Sequence, residues 1–172
     1  MTTQNKYRLN SLPLFLLAAA ALTVLDQITK LLAVRYLKGQ ANRILIPGVF
    51  ELEYLENRGA AFGSFQGMTI PLSILTMILL AVIIWKYVQI PSIRRFLPLR
   101  CSLTVLTAGA CGNLIDRIFR GYVVDFLYFT PIDFPRFNVA DCYVVVSVIV
   151  LAILLLFVYK EEEISFLFRI KA

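Results

Sequence analysis

Five aspartates interrupt an otherwise apolar chain: Asp26 in "LTVLDQITK", Asp116 in "GNLIDR", Asp125 in "GYVVDFL", Asp133 in "TPIDFPRF" and Asp141 in "FNVADCY". Aspartate is a poor residue for a helix interior and a costly one in lipid. Asp125 lies in an apolar stretch, where scarce water raises the pKa of a carboxyl group. Asp141 stands where the chain enters an apolar run that ends at Tyr159. Two carboxylates held close cannot both ionise easily, so they share a proton. A pair of that kind does the acid–base work of aspartic proteolysis: one member deprotonates a water, and the other protonates or hydrogen-bonds the scissile carbonyl. Amides accompany these acids. Asn113 precedes Asp116 by three residues, with Arg117 next, and Asn138 precedes Asp141 by three. Asn138 is placed to cap a helix from which Asp141 faces inward. Taken singly, each acid has a plainer reading as a solvated interfacial side chain, with Asp26 paired to Lys30 at i+4. Sixteen positions separate Asp125 from Asp141, so their proximity stays open at this level.

No histidine occurs in the 172 residues. That excludes His-based triads, HExxH zinc peptidases, His metal clusters and rhomboid-type Ser/His chemistry. No GxGD motif of the presenilin and prepilin-peptidase type is present either. Cys101, Cys111 and Cys142 lie in or beside apolar runs, without a CxxC, and read as small buried hydrophobes. With 59% hydrophobic and 16% charged residues, the composition lies outside the soluble range and describes an integral membrane protein. The net charge of +6 accumulates beside apolar runs, which fits a membrane surface better than nucleic acid.

Positioning these side chains requires a bundle. Four segments approach the roughly 20 residues that span a bilayer, at about 13–36, 69–87, 100–117 and 141–159. The expected fold class is an all-α polytopic membrane protein of four transmembrane helices with a small extracytoplasmic β-cradle, one membrane domain over residues 1–172. The β-element covers about 38–68, where "VFELEYLE" alternates, with Phe50, Leu52 and Tyr54 on one face and Glu51 and Glu53 on the other. Pro47-Gly48 and Arg58-Gly59 punctuate its turns. Lys86, Arg94, Arg95 and Arg100 crowd one tight connection, which puts that connection and both termini on the cytoplasmic side. All five aspartates then fall on the opposite side. The apolar stretch ahead of the alanines in "LPLFLLAAAA" is only about six residues, short for a cleavable signal, so it begins an uncleaved first span. The tail "ISFLFRIKA" is expected along the cytoplasmic interface.

Five ordered motifs, "DQITK" at 26–30, "ENRGAAFG" at 56–63, "GNLIDR" at 112–117, "VVDF" at 123–126 and "FNVAD" at 137–141, closely resemble those of the lipoprotein signal peptidases (signal peptidase II). The resemblance covers nearly the whole chain, with no departure at the motif positions. It implies that Asp125 and Asp141 form a catalytic dyad, with Asp116 in support. It further implies that Asn57, Asn113, Arg117 and Asn138 line the substrate pocket, and that Asp26 is structural or aids activity. The implied substrates are prolipoproteins that already carry diacylglycerol on the lipobox cysteine, cut just before that cysteine. Other implied partners are membrane lipids and, as inhibitors, cyclic peptide antibiotics of the globomycin type; the resemblance implies no metal or organic cofactor, in keeping with the missing histidines. A monomer in the bacterial cytoplasmic membrane, with its site near the extracytoplasmic face, completes the expectation.

The runner-up is a proton-coupled membrane transporter with interfacial carboxylates. Such proteins hold their acids near the midplane between inverted repeats. Only Asp26 approaches mid-span here, and the two halves of the chain show no similarity. A non-enzymatic scaffold would need no paired Asp and Asn residues.

Overall fold

The structure, a computed structural model, describes residues 12–59 and 68–168. Its elements are α1 (Leu12–Leu37), β1 (Arg43–Ile46), β2 (Phe50–Asn57), α2 (Thr69–Tyr87), α3 (Leu97–Arg120), β3 (Val123–Phe129), α4 (Val139–Ile153) and α5 (Glu161–Phe168). A π turn over Leu154–Val158 extends α4.

Three helices, Leu12–Leu37, Thr69–Tyr87 and Val139–Val158, are long and apolar enough to cross a membrane. Their outward faces are apolar, with Leu17, Ile70 and Leu156 exposed by 69%, 74% and 73%. In water such faces would collapse or aggregate, whereas in lipid they meet their own kind. The fourth long helix, α3, differs. Its 24 residues reach about 36 Å, but it buries Ser102, Thr104, Thr107 and Asp116 along with small residues. It packs against α1, α2 and α4 and so forms the middle of the bundle. The hydroxyls of Ser102, Thr104 and Thr107 donate back to the carbonyls of Pro98, Arg100 and Leu103, so none needs a partner from lipid.

Close packing around α3 depends on two glycines. A Cβ on Gly109 would lie 2.6 Å from the Ala140 carbonyl oxygen and 2.9 Å from a Val144 methyl. One on Gly112 would strike the Asp26 carboxylate. These two positions let α4 and α1 approach the α3 backbone closely enough for Asp26 to reach across.

The sheet is antiparallel in the order β1-β2-β3. β2 is the strand expected from "VFELEYLE", and Leu52 and Tyr54 turn toward a cluster of Ala33, Leu37, Val124 and Phe126 that seats the sheet on the end of α1. Local pattern marks 123–126 as an apolar stretch around Asp125 and as the "VVDF" motif, without marking a strand. In the fold "VVDFLYF" is the third strand, paired so that Leu55 opposes Asp125 and Asn57 opposes Val123. β-branched and aromatic residues favour that state. The sheet therefore draws on both connections at this end of the bundle. At the other end of the bundle Ile90, Phe96, Leu99, Leu154, Tyr159 and Ile164 form a second cluster. There Arg95 donates to the Val158 carbonyl at 2.7 Å and pairs with Glu163, folding α5 back beneath the helices. The cysteines depart from the expectation of buried hydrophobes: Cys101 is exposed, on the outward face of the first turns of α3, and Cys111 and Cys142 are only half-buried. The first 11 residues, positions 60–63 of the "ENRGAAFG" motif and the end of the tail at 169–172 lie outside the described residues.

Candidate active site

Four of the five aspartates converge where α1, α3, α4 and β3 meet, and they divide into two pairs. Asp26, Asp116 and Lys30 are each 0% exposed. The Lys30 ammonium lies 3.0 Å from Asp26 Oδ2 and 3.2 Å from Asp116 Oδ2. A buried cation between two buried anions offsets the cost of taking each from water. Both acids also bind backbone. Asp26 Oδ1 accepts the Ala140 N–H at 2.9 Å, satisfying one of the free donors at the start of α4 from a different helix. Asp116 Oδ2 accepts the Val124 N–H at 3.0 Å and thereby fixes the start of β3 to the end of α3. Arg120 Nε stands 3.2 Å from Asp116 Oδ1, an ion pair that lacks hydrogen-bond geometry. These two acids tie elements together.

Asp125 and Asp141 are held differently, by amides alone. Asn57 Nδ2 donates to Asp125 Oδ2 at 2.9 Å, and Asn138 Nδ2 donates to Asp125 Oδ1 at 2.6 Å. Asn113 Nδ2 donates to Asp141 Oδ1 at 2.7 Å. At the start of α4, Asn138 and Asp141 form a reciprocal capping box: the Asp141 N–H donates to Asn138 Oδ1, and the Asn138 N–H donates to Asp141 Oδ2. Asn138 therefore touches both carboxylates, one through its side chain and the other through its backbone. No cation hydrogen-bonds either acid among the described residues. Burial pushes the Asp125 carboxyl up to about 7, and the nearby Asp141 charge adds to it, against the pull of the two amides. A carboxyl in that range exchanges its proton near neutral pH.

Both acids face one cavity of about 900 Å³, together with Asn57, Asn113 and Arg117. Val144, Val145 and Val146 of α4 continue its wall toward the lipid-facing side, so the cavity joins a polar end to an apolar flank. Every residue named from the sequence thus lies in one contiguous region: Asp125, Asp141, Asn57, Asn113 and Arg117 on the cavity, Asn138 buried between the carboxylates, and Asp26 and Asp116 behind them. Asp133 also borders the cavity, but on the exposed side, where it takes the left-handed conformation (φ 46°) and accepts the Tyr128 hydroxyl.

A profile of the family described as Signal peptidase (SPase) II matches residues 18–157. The chain belongs to the signal peptidase II family. Among the relatives of this aspartic peptidase, the lipoprotein signal peptidase of Clostridium novyi is 43% identical over 136 residues, covering 77% of this chain and 90% of that protein. That of Caldanaerobacter subterraneus is 41% identical over 139 residues, covering 80% and 92%. A bacterial membrane enzyme solved by the in meso method at 2.3 Å superposes with a TM-score of 0.74 at 31% identity, covering 84% of this chain and 88% of that one. The signal peptidase II assignment agrees with the geometry: a pair of cavity-facing carboxyls suits the family's aspartic chemistry.

Lys30 does more than its spacing suggests, which shows it only as the i+4 partner of Asp26. In the signal peptidase II fold it also reaches Asp116 and donates to Asn113 Oδ1 at 2.9 Å. The available signal was a lysine in the middle of an apolar span, and local spacing reveals only the partner on the same helix.

Proposed function

We propose that the protein removes signal peptides from bacterial prolipoproteins with Asp125 and Asp141 as its catalytic pair. Cleavage of such signal peptides is the activity of the family to which it belongs. The observation that carries the residue assignment is the division of the four acids. Asp26 and Asp116 are ion-paired behind the cavity, both with Lys30 and Asp116 also with Arg120, whereas Asp125 and Asp141 face it with only amide donors.

In this reading Asp125 carries the shared proton and Asp141, at the positive N-terminal end of α4, is ionised. Asp141 takes a proton from water as the water oxygen bonds to the scissile carbonyl carbon. Asp125 gives its proton to the carbonyl oxygen, leaving a gem-diol. Asp141 then passes its proton to the amide nitrogen, the C–N bond breaks, and a diol hydroxyl returns a proton to Asp125. Arg117 and Asn57, beside the pair, hold the peptide backbone of the substrate, and Asn113 and Asn138 keep the two carboxylates apart and aimed.

The substrate cysteine carries diacylglycerol. The apolar flank formed by Val144, Val145 and Val146 supports this, because lipid tails can remain in the bilayer while the peptide enters the polar end. We place this end at the extracytoplasmic face of the cytoplasmic membrane, opposite the Arg94–Arg95 connection. The enzyme works as a single membrane domain and a monomer, and cyclic peptide antibiotics of the globomycin type compete for the cavity. The test is cleavage, by purified enzyme in detergent, of one precursor peptide with and without the diacylglyceryl group. Cleavage immediately before the modified cysteine, and at least tenfold slower without the lipid, is the expected result. Equal rates on both peptides would remove the lipid from the recognition.

A further inference from the structure

Lys30 makes a contact that neutralising Asp26 and Asp116 does not require. Beyond its two ion pairs it donates a hydrogen bond to Asn113 Oδ1 at 2.9 Å. An ammonium can only donate, so the Asn113 atom facing it has to be the carbonyl oxygen. Asn138 Nδ2 donates to the same oxygen at 3.2 Å. With both donors on Oδ1, the amide nitrogen of Asn113 has one place left to point, and it lies 2.7 Å from Asp141 Oδ1. The reverse orientation would set a carbonyl oxygen against the Asp141 carboxylate and an amide N–H against the ammonium. We infer that Lys30 is a positioning residue for hydrolysis: through Asn113 it fixes which side of that amide meets Asp141, and so keeps the Asp141 carboxylate aimed into the cavity. The inference rests on the reading of Asp141 as a member of the catalytic pair.

Simple removal of Lys30 would leave two buried anions and endanger the fold. The test therefore starts from Asp26→Asn, which keeps an acceptor for the Ala140 N–H and leaves Asp116 beside Arg120 as a balanced pair. In that background Lys30→Met removes the donor to Asn113. Turnover and KM are measured on a lipid-modified precursor peptide, with enzyme in excess where rates are low, and thermal unfolding reports the folded fraction. The expected result is a fall in kcat on the order of 10²-fold, with KM within about twofold. Repeating Lys30→Met on top of Asn113→Ala should then cost less than about threefold, because the residue through which Lys30 acts is gone. A lysine that only supports the fold would give the same loss in both backgrounds. That additivity overturns the inference, as does a folded Lys30→Met variant that retains its kcat or changes only KM. Asp141→Asn is assayed alongside. If it is active, the catalytic pair itself is wrong and the inference falls with it. If it is inactive while the cycle is additive, only the role of Lys30 is lost.

Discussion

Asp125 is 1% exposed and accepts hydrogen bonds from two asparagines, yet it faces the cavity that, in the proposed mechanism, admits water and peptide. Its proton is therefore the one to follow. With Asp125 near 7, the pair loses its last proton around neutrality, so kcat is expected to fall above about pH 7. A pH–rate profile checks this, and a rate still rising at pH 9 would contradict it. Stability is linked to the same proton. The folded state raises this carboxyl above its ordinary range, so between about pH 4 and 7 it holds a proton that the unfolded chain has released. The stabilisation is complete below about pH 4 and is lost as pH rises through 7, at most about 4 kcal/mol. Relative to Asp125→Asn, the wild type should lose melting temperature over that window. Asp125→Asn and Asp141→Asn should each reduce turnover by roughly 10²–10⁴-fold while the protein remains folded, since asparagine keeps the shape but cannot exchange the proton. Asp133 provides the contrast. Exposed, in the left-handed region that asparagine also tolerates, and bonded to Tyr128, it should accept Asp133→Asn within about 0.5 kcal/mol and near wild-type activity. Loss of activity there would mean that outer-face acidity, not a specific pair, drives the reaction.

At the scale of elements, the site depends on how closely α1 and α4 approach α3. Gly112 leaves the room that the Asp26 carboxylate occupies, and Gly109 leaves room for the Ala140 carbonyl and Val144. Ala140 and Asp141 are adjacent on α4, so moving one moves the other. Gly109→Ala should destabilise the protein by about 1–3 kcal/mol through overpacking. It should also lower kcat, because α4 has to shift with Asp141 on it. Gly48→Ala is the matched control: it sits at φ 70° in the β1–β2 turn with nothing within 4 Å of its Cβ. It should cost stability through backbone strain alone and leave kcat per folded molecule unchanged. Unfolding curves and single-turnover rates on both variants separate the two effects. If Gly109→Ala retains full kcat, the α3–α4 contact does not set the position of Asp141.

For the whole molecule, the sheet and the Arg95–Glu163 contact lie at opposite ends of the bundle. The sheet end is proposed to face the outside. Single cysteines replacing Ala41 and Glu162, in a background without the native thiols, test it in intact cells. An impermeant thiol reagent should label the cysteine at position 41, and should label the one at 162 only after permeabilisation. The opposite pattern would put the catalytic cavity on the cytoplasmic side.

The sequence by itself determined the three long apolar helices, the β2 strand and the cap at Asn138, and it marked the acids, because each is a local signal. Hydropathy accumulates over one helix, alternation over one strand, and a capping box over four residues. The Asp26–Lys30 pair is local too, four residues apart on one helix. Only the tertiary structure decided the state of the other three acids: Asp116, Asp125 and Asp141 are chemically identical side chains, and their fates differ by where Lys30 and three asparagines reach from other parts of the fold. The pairing of β3 with β2, which brings Asn57 to Asp125, and the glycine contacts of α3, which bring Asp26 to the start of α4, join residues 68 and 114 positions apart. Periodicity carries no information over such separations. Charge pairing inside a membrane protein is set by helix packing, and helix packing is decided only when the whole bundle closes.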